Sequence, residues 1–289
     1  MRTGGAFNIK IGYGSVLSPE RENLDSLKIG SIEGAFFCAG YHPGKNLGMT
    51  VLDQPFLPVD NLDVAQAAGE AVCKHPFIVA EMKKWNATLY MQALLPQFEF
   101  MGVGKPPLKL EDWKGRCVRA LGGMGDAMRA LGATPTTVTA PELYTSLDRA
   151  TVDAASLPFT YALAAYKPHE ISKWHTTNLS TGAADCGTAL SASALAKLPP
   201  QYSALIESLK PQAYEVLKKA CYAADEKNLP MFKARLQPIT YTDAELDRFR
   251  TIGGKPVWDK WVAGHAAKGV PARELLDLVM RTAKKATGK

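Results

Sequence analysis

Residues 105–153 read KPPLKLEDWKGRCVRALGGMGDAMRALGATPTTVTAPELYTSLDRATVD, and the fold turns on this run. Arg116-Cys117-Val118-Arg119 reads as a short strand ending on a guanidinium, and the Gly-rich step Gly122-Gly123-Met124-Gly125 follows at once. A helix carrying Met128 and Leu131 comes next, then an extended piece over 134–138, then a second helix opening at Pro141-Glu142. An arginine placed where a strand gives way to a Gly-rich loop can fork onto a ligand carboxylate, because its planar donors match two carboxylate oxygens. Backbone amides of the loop add to the stabilisation of that charge. The run points to a receptor for small organic acids rather than to a catalyst.

Outward from this run the same alternation continues. On the N-terminal side, 7–13 alternates like a half-buried strand. Ser18-Pro19-Glu20-Arg21 reads as an N-cap with proline at the first helical position, opening a helix through Leu24 and Leu27. A second strand is expected over 30–39, and 49–57 ends in Asp53-Gln54-Pro55-Phe56-Leu57. A long helix over 61–84, broken near His75-Pro76, leads to a strand over 88–94. Repeated strand–helix alternation argues for an α/β fold with helices packed on largely parallel sheets. The last third is mostly helical. Over 200–228, Tyr202, Leu205, Ile206, Leu209, Ala213, Val216, Leu217, Ala220 and Ala224 fall near one stripe of a long helix, which Pro211 kinks or splits. Further helices are expected over 243–249, 257–267 and 271–285. At 289 residues two lobes are expected, with one large domain as the alternative. Without a low-complexity linker, two lobes imply that the chain crosses between them more than once, leaving a cleft able to hinge shut.

Composition narrows the function classes. Apolar residues make up 46% and charged residues 21%, which fits a folded globular chain and excludes disorder. The net charge of +6 is scattered, apart from Arg281, Lys284, Lys285 and Lys289, and no basic stripe is interleaved with aromatics. Nucleic acid is therefore not an expected partner, whereas a mildly positive field favours anionic small molecules. Five dispersed cysteines (Cys38, Cys73, Cys117, Cys186, Cys221) read as buried small hydrophobes, with nothing demanding an oxidising compartment. Apolar stretches are interrupted before the ~20 residues that a membrane span needs. Met1-Arg2-Thr3-Gly4-Gly5 runs into Asn8-Ile9-Lys10-Ile11 without the apolar core of a signal peptide, so this start, read alone, says cytoplasm.

Motifs for chemistry are sparse. No GxSxG nucleophile elbow and no HExxH occur, and His42, His75, His169, His175 and His265 stand far apart. Gly122-Gly123-Met124-Gly125 matches a dinucleotide fingerprint only in part, so neither metal nor cofactor is expected. Arg119 also has a structural reading, a salt bridge to Asp126 or Glu142. Tyr144, Phe159, Tyr161 and Tyr166 read as core or surface aromatics. Tyr41-His42 falls just after the strand over 30–39, where ligand contacts gather in α/β sheets.

A set of ordered segments carries a family resemblance. Tyr13-Gly14-Ser15-Val16-Leu17, Leu27-Lys28-Ile29-Gly30-Ser31-Ile32-Glu33 and Val51-Leu52-Asp53-Gln54-Pro55-Phe56-Leu57 come first. Lys105-Pro106, Glu111-Asp112-Trp113-Lys114-Gly115-Arg116-Cys117-Val118-Arg119, Leu131-Gly132-Ala133-Thr134-Pro135, Glu142-Leu143-Tyr144 and Val152-Asp153 follow. In this order they resemble the solute-binding proteins of tripartite ATP-independent periplasmic (TRAP) transporters, in their dicarboxylate-receptor branch. The resemblance covers nearly the whole chain and most strongly residues 1–230. It implies a two-lobed periplasmic-binding-protein-like α/β fold with crossing strands and a long C-terminal helix. The lobes would be 1–96 plus 185–224 and 97–184 plus 225–289, closing over an organic acid that is delivered to TRAP permease subunits in the membrane. It implies no enzyme, no membrane span and a periplasmic location.

Residue by residue, the family's carboxylate-clamping arginine falls on Arg119, and Glu142 and Tyr144 match its E-x-Y element, Glu142 as much for support of the fold as for contact. Departures shape the ligand. Phe98-Glu99-Phe100-Met101 lacks the second arginine, Leu157 stands where many members carry a contacting asparagine, and Ala140 replaces an aromatic. A monocarboxylate with an apolar or aromatic body is therefore expected, with Leu157 and Phe159 lining its tail. Matching begins near Thr3-Gly4-Gly5, without the family's signal peptide, first strand and first helix, so an unpaired position in the first sheet is expected. Two alternatives stay open: an α/β enzyme in which Arg119 holds the acid and His42 acts as base, and a ligand-sensing input module.

Overall fold

The computed structural model describes residues 3–59 and 61–288. The N-terminal third runs through α1 (Asn23–Ile29), β1 (Gly34–Cys38), α2 (Leu62–Cys73), α3 (Pro76–Lys83) and β2 (Ala87–Leu94). The middle holds β3 (Phe98–Gly102), β4 (Cys117–Arg119), α4 (Gly122–Ala130), β5 (Thr134–Thr136), α5 (Leu143–Asp148), β6 (Ala154–Pro158), α6 (Tyr161–Ala165) and β7 (Trp174–Thr176). Then come β8 (Asp185–Ser191), α7 (Ala192–Lys197), α8 (Pro200–Arg235), β9 (Gln237–Ile239), α9 (Asp243–Gly253), α10 (Lys255–Ala266) and α11 (Ala272–Thr287).

The strands form two sheets, with orders β1-β8-β2 and β5-β4-β6-β3-β7-β9. The first is wholly antiparallel. The second is parallel at β5–β4–β6 and at β7–β9 but antiparallel where β3 pairs with β6 and β7. This corrects the expectation of largely parallel sheets. The physical reason is connectivity: β2 leads the chain out of the first sheet into β3 of the second, and β7 returns it to β8 of the first, so the outgoing and returning strands paired in each sheet, β2 with β8 and β3 with β7, run in opposite directions.

Local chemistry sets the helix ends that matter. His75 accepts from the Phe77 amide through Nδ1 at 3.2 Å and Pro76 takes the first helical position, so the expected break between α2 and α3 is an N-cap. Asn61 caps α2 by accepting from the Asp63 and Val64 amides. Ser18 caps nothing: its hydroxyl meets that of Ser26 at 2.9 Å, and α1 starts five residues later. α8 continues through Pro211 and Pro230 without splitting, spanning about 54 Å at 1.5 Å per residue. Its fully buried positions are Tyr214, Cys221, Asn228 and Phe232, while Val216 of the expected stripe is 60% exposed.

Three further expectations are overturned. Residues 7–13 form no strand, and Ile9, Ile11 and Tyr13 are exposed; the outer edge of β1 is left without a partner strand among the described residues. Cys38 and Cys186 are joined in a disulfide rather than being separate buried thiols. They stand opposite each other in the β1–β8 register across 148 residues of chain, a juxtaposition that linear spacing does not reveal. Finally, Trp261, Val270, Leu275, Leu276 and Val279 pack in the core that holds Leu24 of α1, Phe37 of β1 and Val64 and Val72 of α2. α10 and α11 thus build the first core, whereas the expected division put 225–289 with the second lobe. α9, through Leu246 and Phe249, does pack with Phe100, Trp113, Val118 and Trp174 of the second sheet.

Candidate carboxylate site between the sheets

Arg119 ends β4, in register with Thr136 of β5 and Ala155 of β6. A residue at the middle of three paired strands is sealed from solvent, and Arg119 is 1% exposed. Its Nε donates to the Val138 carbonyl at 2.9 Å, Nη1 to the Ser156 carbonyl at 2.6 Å, and Nη2 to the Tyr41 hydroxyl at 3.2 Å. A guanidinium has five N–H donors, so two remain. Among the described residues Arg119 forms no ion pair. Asp126 pairs with Arg129 instead, and Glu142 accepts from the Thr139 amide at 3.0 Å and the Thr139 hydroxyl at 2.6 Å. Burial pulls the Arg119 pKa down from its ordinary value, and the Tyr41 and Tyr166 hydroxyls pull it back. Arginine nevertheless stays charged in proteins. A buried cation without a counter-ion is costly unless an anion arrives to complete it.

Tyr41 supplies the second half. It lies in the 3-10 turn Ala39–Tyr41 that follows β1, and its ring packs beside Cys38, Leu95, Phe98, Leu121 and Cys186. Its hydroxyl accepts from Arg119 and also from the Ala140 amide at 3.1 Å. Both lone pairs are engaged, so the proton is what this hydroxyl has left to offer. Arg119 and Tyr41 thus present donors and no acceptor, the pattern that suits an ionised carboxylate. Tyr41 also ties the first sheet to the second.

The residues expected to line the ligand fall in one apolar cluster. Leu157 is 3% exposed and shares a cluster with Ala140, Ala155 and Phe232. Phe159 packs against that cluster and stacks on His175 at 5.8 Å. A cavity of about 310 Å³, lined by Met91, Leu95, Tyr161, Cys186 and Leu217 among others, lies where α6 and α8 face the first sheet. The structure links Arg119, Tyr41 and Ala140 by hydrogen bonds, and Leu157 and Phe159 fall in the cluster that also holds Ala140.

It leaves three candidates aside. Glu142 holds the turn that presents the Ala140 amide, and the Thr139 contacts keep its carboxyl below the usual range. Tyr144 is half-buried in α5. His42 is 2% exposed, stacked on Phe37 at 5.3 Å, and makes no side-chain hydrogen bond of normal geometry. Burial, then the Lys45 ammonium, lowers its pKa to about 4. A sealed imidazole of this kind does not supply the base that the enzyme alternative needs. Tyr161 and Tyr166 were read as ordinary aromatics, yet their hydroxyls interact electrostatically with Tyr41 and, for Tyr166, with Arg119. Nothing in linear spacing marks them, since α6 comes against the first lobe only in three dimensions. Among the described residues no cluster of three or more His, Cys, Asp or Glu could hold a metal, and no helix is long and apolar enough to cross a membrane.

Known proteins share this architecture. A TRAP solute-binding protein from Rhodoferax ferrireducens, solved with copurified benzoate, superposes with a TM-score of 0.84 at 20% identity, over 94% of this chain and 85% of that one. One from Desulfovibrio salexigens with bound orotic acid gives 0.84 at 22% identity, over 99% and 90%. One from Bordetella bronchiseptica with bound (R)- and (S)-mandelate gives 0.80 at 21%, over 93% and 85%. In sequence, a curated solute-binding protein of Verminephrobacter eiseniae is 25% identical over 169 residues, 57% of this chain. The chain matches about half the length of that relative, 49%. The model of the bacterial extracellular solute-binding proteins, family 7, matches residues 1–264, and the chain therefore belongs to that family.

Proposed function

We propose that this protein captures a small organic acid between its two lobes and delivers it, without chemistry, to a TRAP-type permease on the periplasmic side of a membrane. The observation that carries this reading is the buried, counter-ion-free guanidinium of Arg119 with the Tyr41 hydroxyl beside it. In the bound state the carboxylate takes the two free N–H donors of Arg119 and the Tyr41 proton. Leu157, Phe159 and Ala140 offer the body of the ligand carbon rather than hydrogen bonds, which favours a monocarboxylate with an aromatic or branched apolar body. Benzoate and mandelate in two structural neighbours fit this preference, whereas β-D-galacturonate in a neighbour from a Sulfitobacter species shows that the fold also accepts polar sugar acids. The Cys38–Cys186 disulfide suits an oxidising compartment such as the periplasm. Calorimetry against benzoate, mandelate, a C4-dicarboxylate and galacturonate tests the proposal. Binding of the first two, with the others weaker, supports it. Tight binding of the dicarboxylate or the sugar acid, with no response to aromatic acids, refutes the ligand class.

A further inference from the structure

Beneath the carboxylate site lies a second set of unpaired polar atoms that ligand capture does not use. Asp53, at the end of the turn Gly48–Asp53, and Asp185, the first residue of β8, are both 0% exposed. The Asp185 amide donates to Asp53 Oδ1 at 3.2 Å, while Asp53 Oδ2 and both carboxyl oxygens of Asp185 have no partner among the described residues. Gln92, 2% exposed, also leaves both amide atoms unpartnered. Because Gln92 pairs with Gly187 and Leu94 with Asp185, Gln92 and Asp185 share one face of the sheet a single diagonal step apart. Two ionised carboxylates packed together without a cation repel each other and lose their hydration, so a buried pair of this kind holds a proton.

Its position links it to the clamp. Asp53 Oδ2 lies 3.0 Å from where a Cβ on Gly40 would stand, and Asp53 Cβ lies 3.1 Å from the corresponding point on Gly122, whose φ is +44°. Gly40 precedes Tyr41, and Gly122 follows Arg119 by three residues. Besides the two glycines, the Leu121 side chain at the start of α4 stands against the same point, so parting the lobes here lifts Leu121 and Gly122 away and admits water to the Asp53 carboxyl.

We propose that closing the lobes takes up one proton from solvent onto the Asp53–Asp185 pair, and that opening releases it, so that closure is coupled to pH. Burial moves Asp53 up to about 7, and burial, then the Asp53 carboxyl, raises Asp185 well above its ordinary value. The other titratable groups facing the pair are Cys73 of α2, with Glu70 behind it, and Tyr214 of α8. Cys73 and Tyr214 are held neutral by burial, and Lys210 and Lys74 act on Cys73 only as lesser influences. The turn carrying Gly40 also carries Tyr41, and β4 ahead of α4 ends on Arg119; the atoms nearest the Gly40 and Gly122 positions belong to Asp53 and Leu121 and not to either of them. This deepens the receptor reading, since closure is the movement that capture uses, but its test requires no ligand.

Spin labels at the exposed positions Lys83 and Asp148, in a Cys117→Ser background, report the closed-to-open ratio of the full chain against pH. The ratio is expected to fall as pH rises from 6 to 8, approaching about tenfold per unit for one linked proton. Asp53→Asn and Asp185→Asn are each expected to flatten the slope. Equal ratios at pH 6 and pH 8 overturn the proposal, as does a slope that survives both substitutions. Calorimetry with benzoate keeps the two readings apart. A pH slope without binding of any acid leaves the coupling and removes the receptor; binding without a slope does the reverse.

Discussion

Replacing Arg119 is the most direct perturbation of the proposed capture, and its size follows from the hydrogen-bond count. Three of the five guanidinium donors are committed to Val138, Ser156 and Tyr41, leaving two for a ligand. A hydrogen bond to a charged group contributes about 1.5–3 kcal/mol. Loss of even one such bond raises Kd by about 10- to 150-fold, and loss of both by more, at ~1.4 kcal/mol per decade. Arg119→Ala also strands two buried carbonyls and the Tyr41 hydroxyl, each at roughly 1–3 kcal/mol, so the fold weakens alongside. Arg119→Lys separates the two effects: it keeps the charge but cannot reproduce the planar fork. Calorimetric titration with benzoate, paired with chemical denaturation, reads both. Both variants are expected to bind at least tenfold more weakly, with Arg119→Lys the more stable of the two. Unchanged affinity in a folded Arg119→Lys or Arg119→Ala protein would show that the clamp lies elsewhere.

Other substitutions test neighbouring parts of the argument. Tyr41→Phe removes one O–H donor and leaves the Ala140 amide unpaired, so affinity for benzoate should fall by ~1 kcal/mol, about fivefold, in the same titration. Reducing the Cys38–Cys186 disulfide, which closes a loop of 148 residues, should lower stability by about 2–5 kcal/mol in urea denaturation with and without reductant. Asp53 has its folded pKa raised from 3.8 to about 7, so its contribution to stability is fully present below pH 3.8 and is lost as pH rises toward 7. Over that window the loss is at most about 4 kcal/mol at 1.36 per unit, and the difference in denaturation midpoint between wild type and Asp53→Asn should shrink or change sign across it. Leu157→Ala opens a hole in the cluster shared with Ala140 and Phe232, at about 2–5 kcal/mol in thermal or chemical unfolding.

The surroundings of Arg119 were legible because their signal is local: a short strand, a guanidinium and a Gly-rich start to α4 lie within ten residues, and the structure keeps that order. The break at His75-Pro76 was legible for the same reason, since a cap and a proline act on their own turn. The strand expected over 7–13 failed because alternation states only that a segment can be a strand; the side chains must also find a core to cover, and Ile9, Ile11 and Tyr13 stay exposed. His42 was placed correctly after a strand, but which way its ring turns depends on Phe37 and the first core.

The alternation of helices and strands from α1 onward and the candidacy of Arg119 rest on short-range chemistry, and the sequence by itself determined them. The Cys38–Cys186 pairing, the seating of α11 on the first core, the Tyr41 hydroxyl against Arg119 and the burial of Asp53 beside Asp185 were decided only by tertiary structure. Each joins residues from about 78 to more than 200 positions apart in the chain. Such contacts depend on how the sheets and helices pack, and no local periodicity, cap or turn encodes that distance.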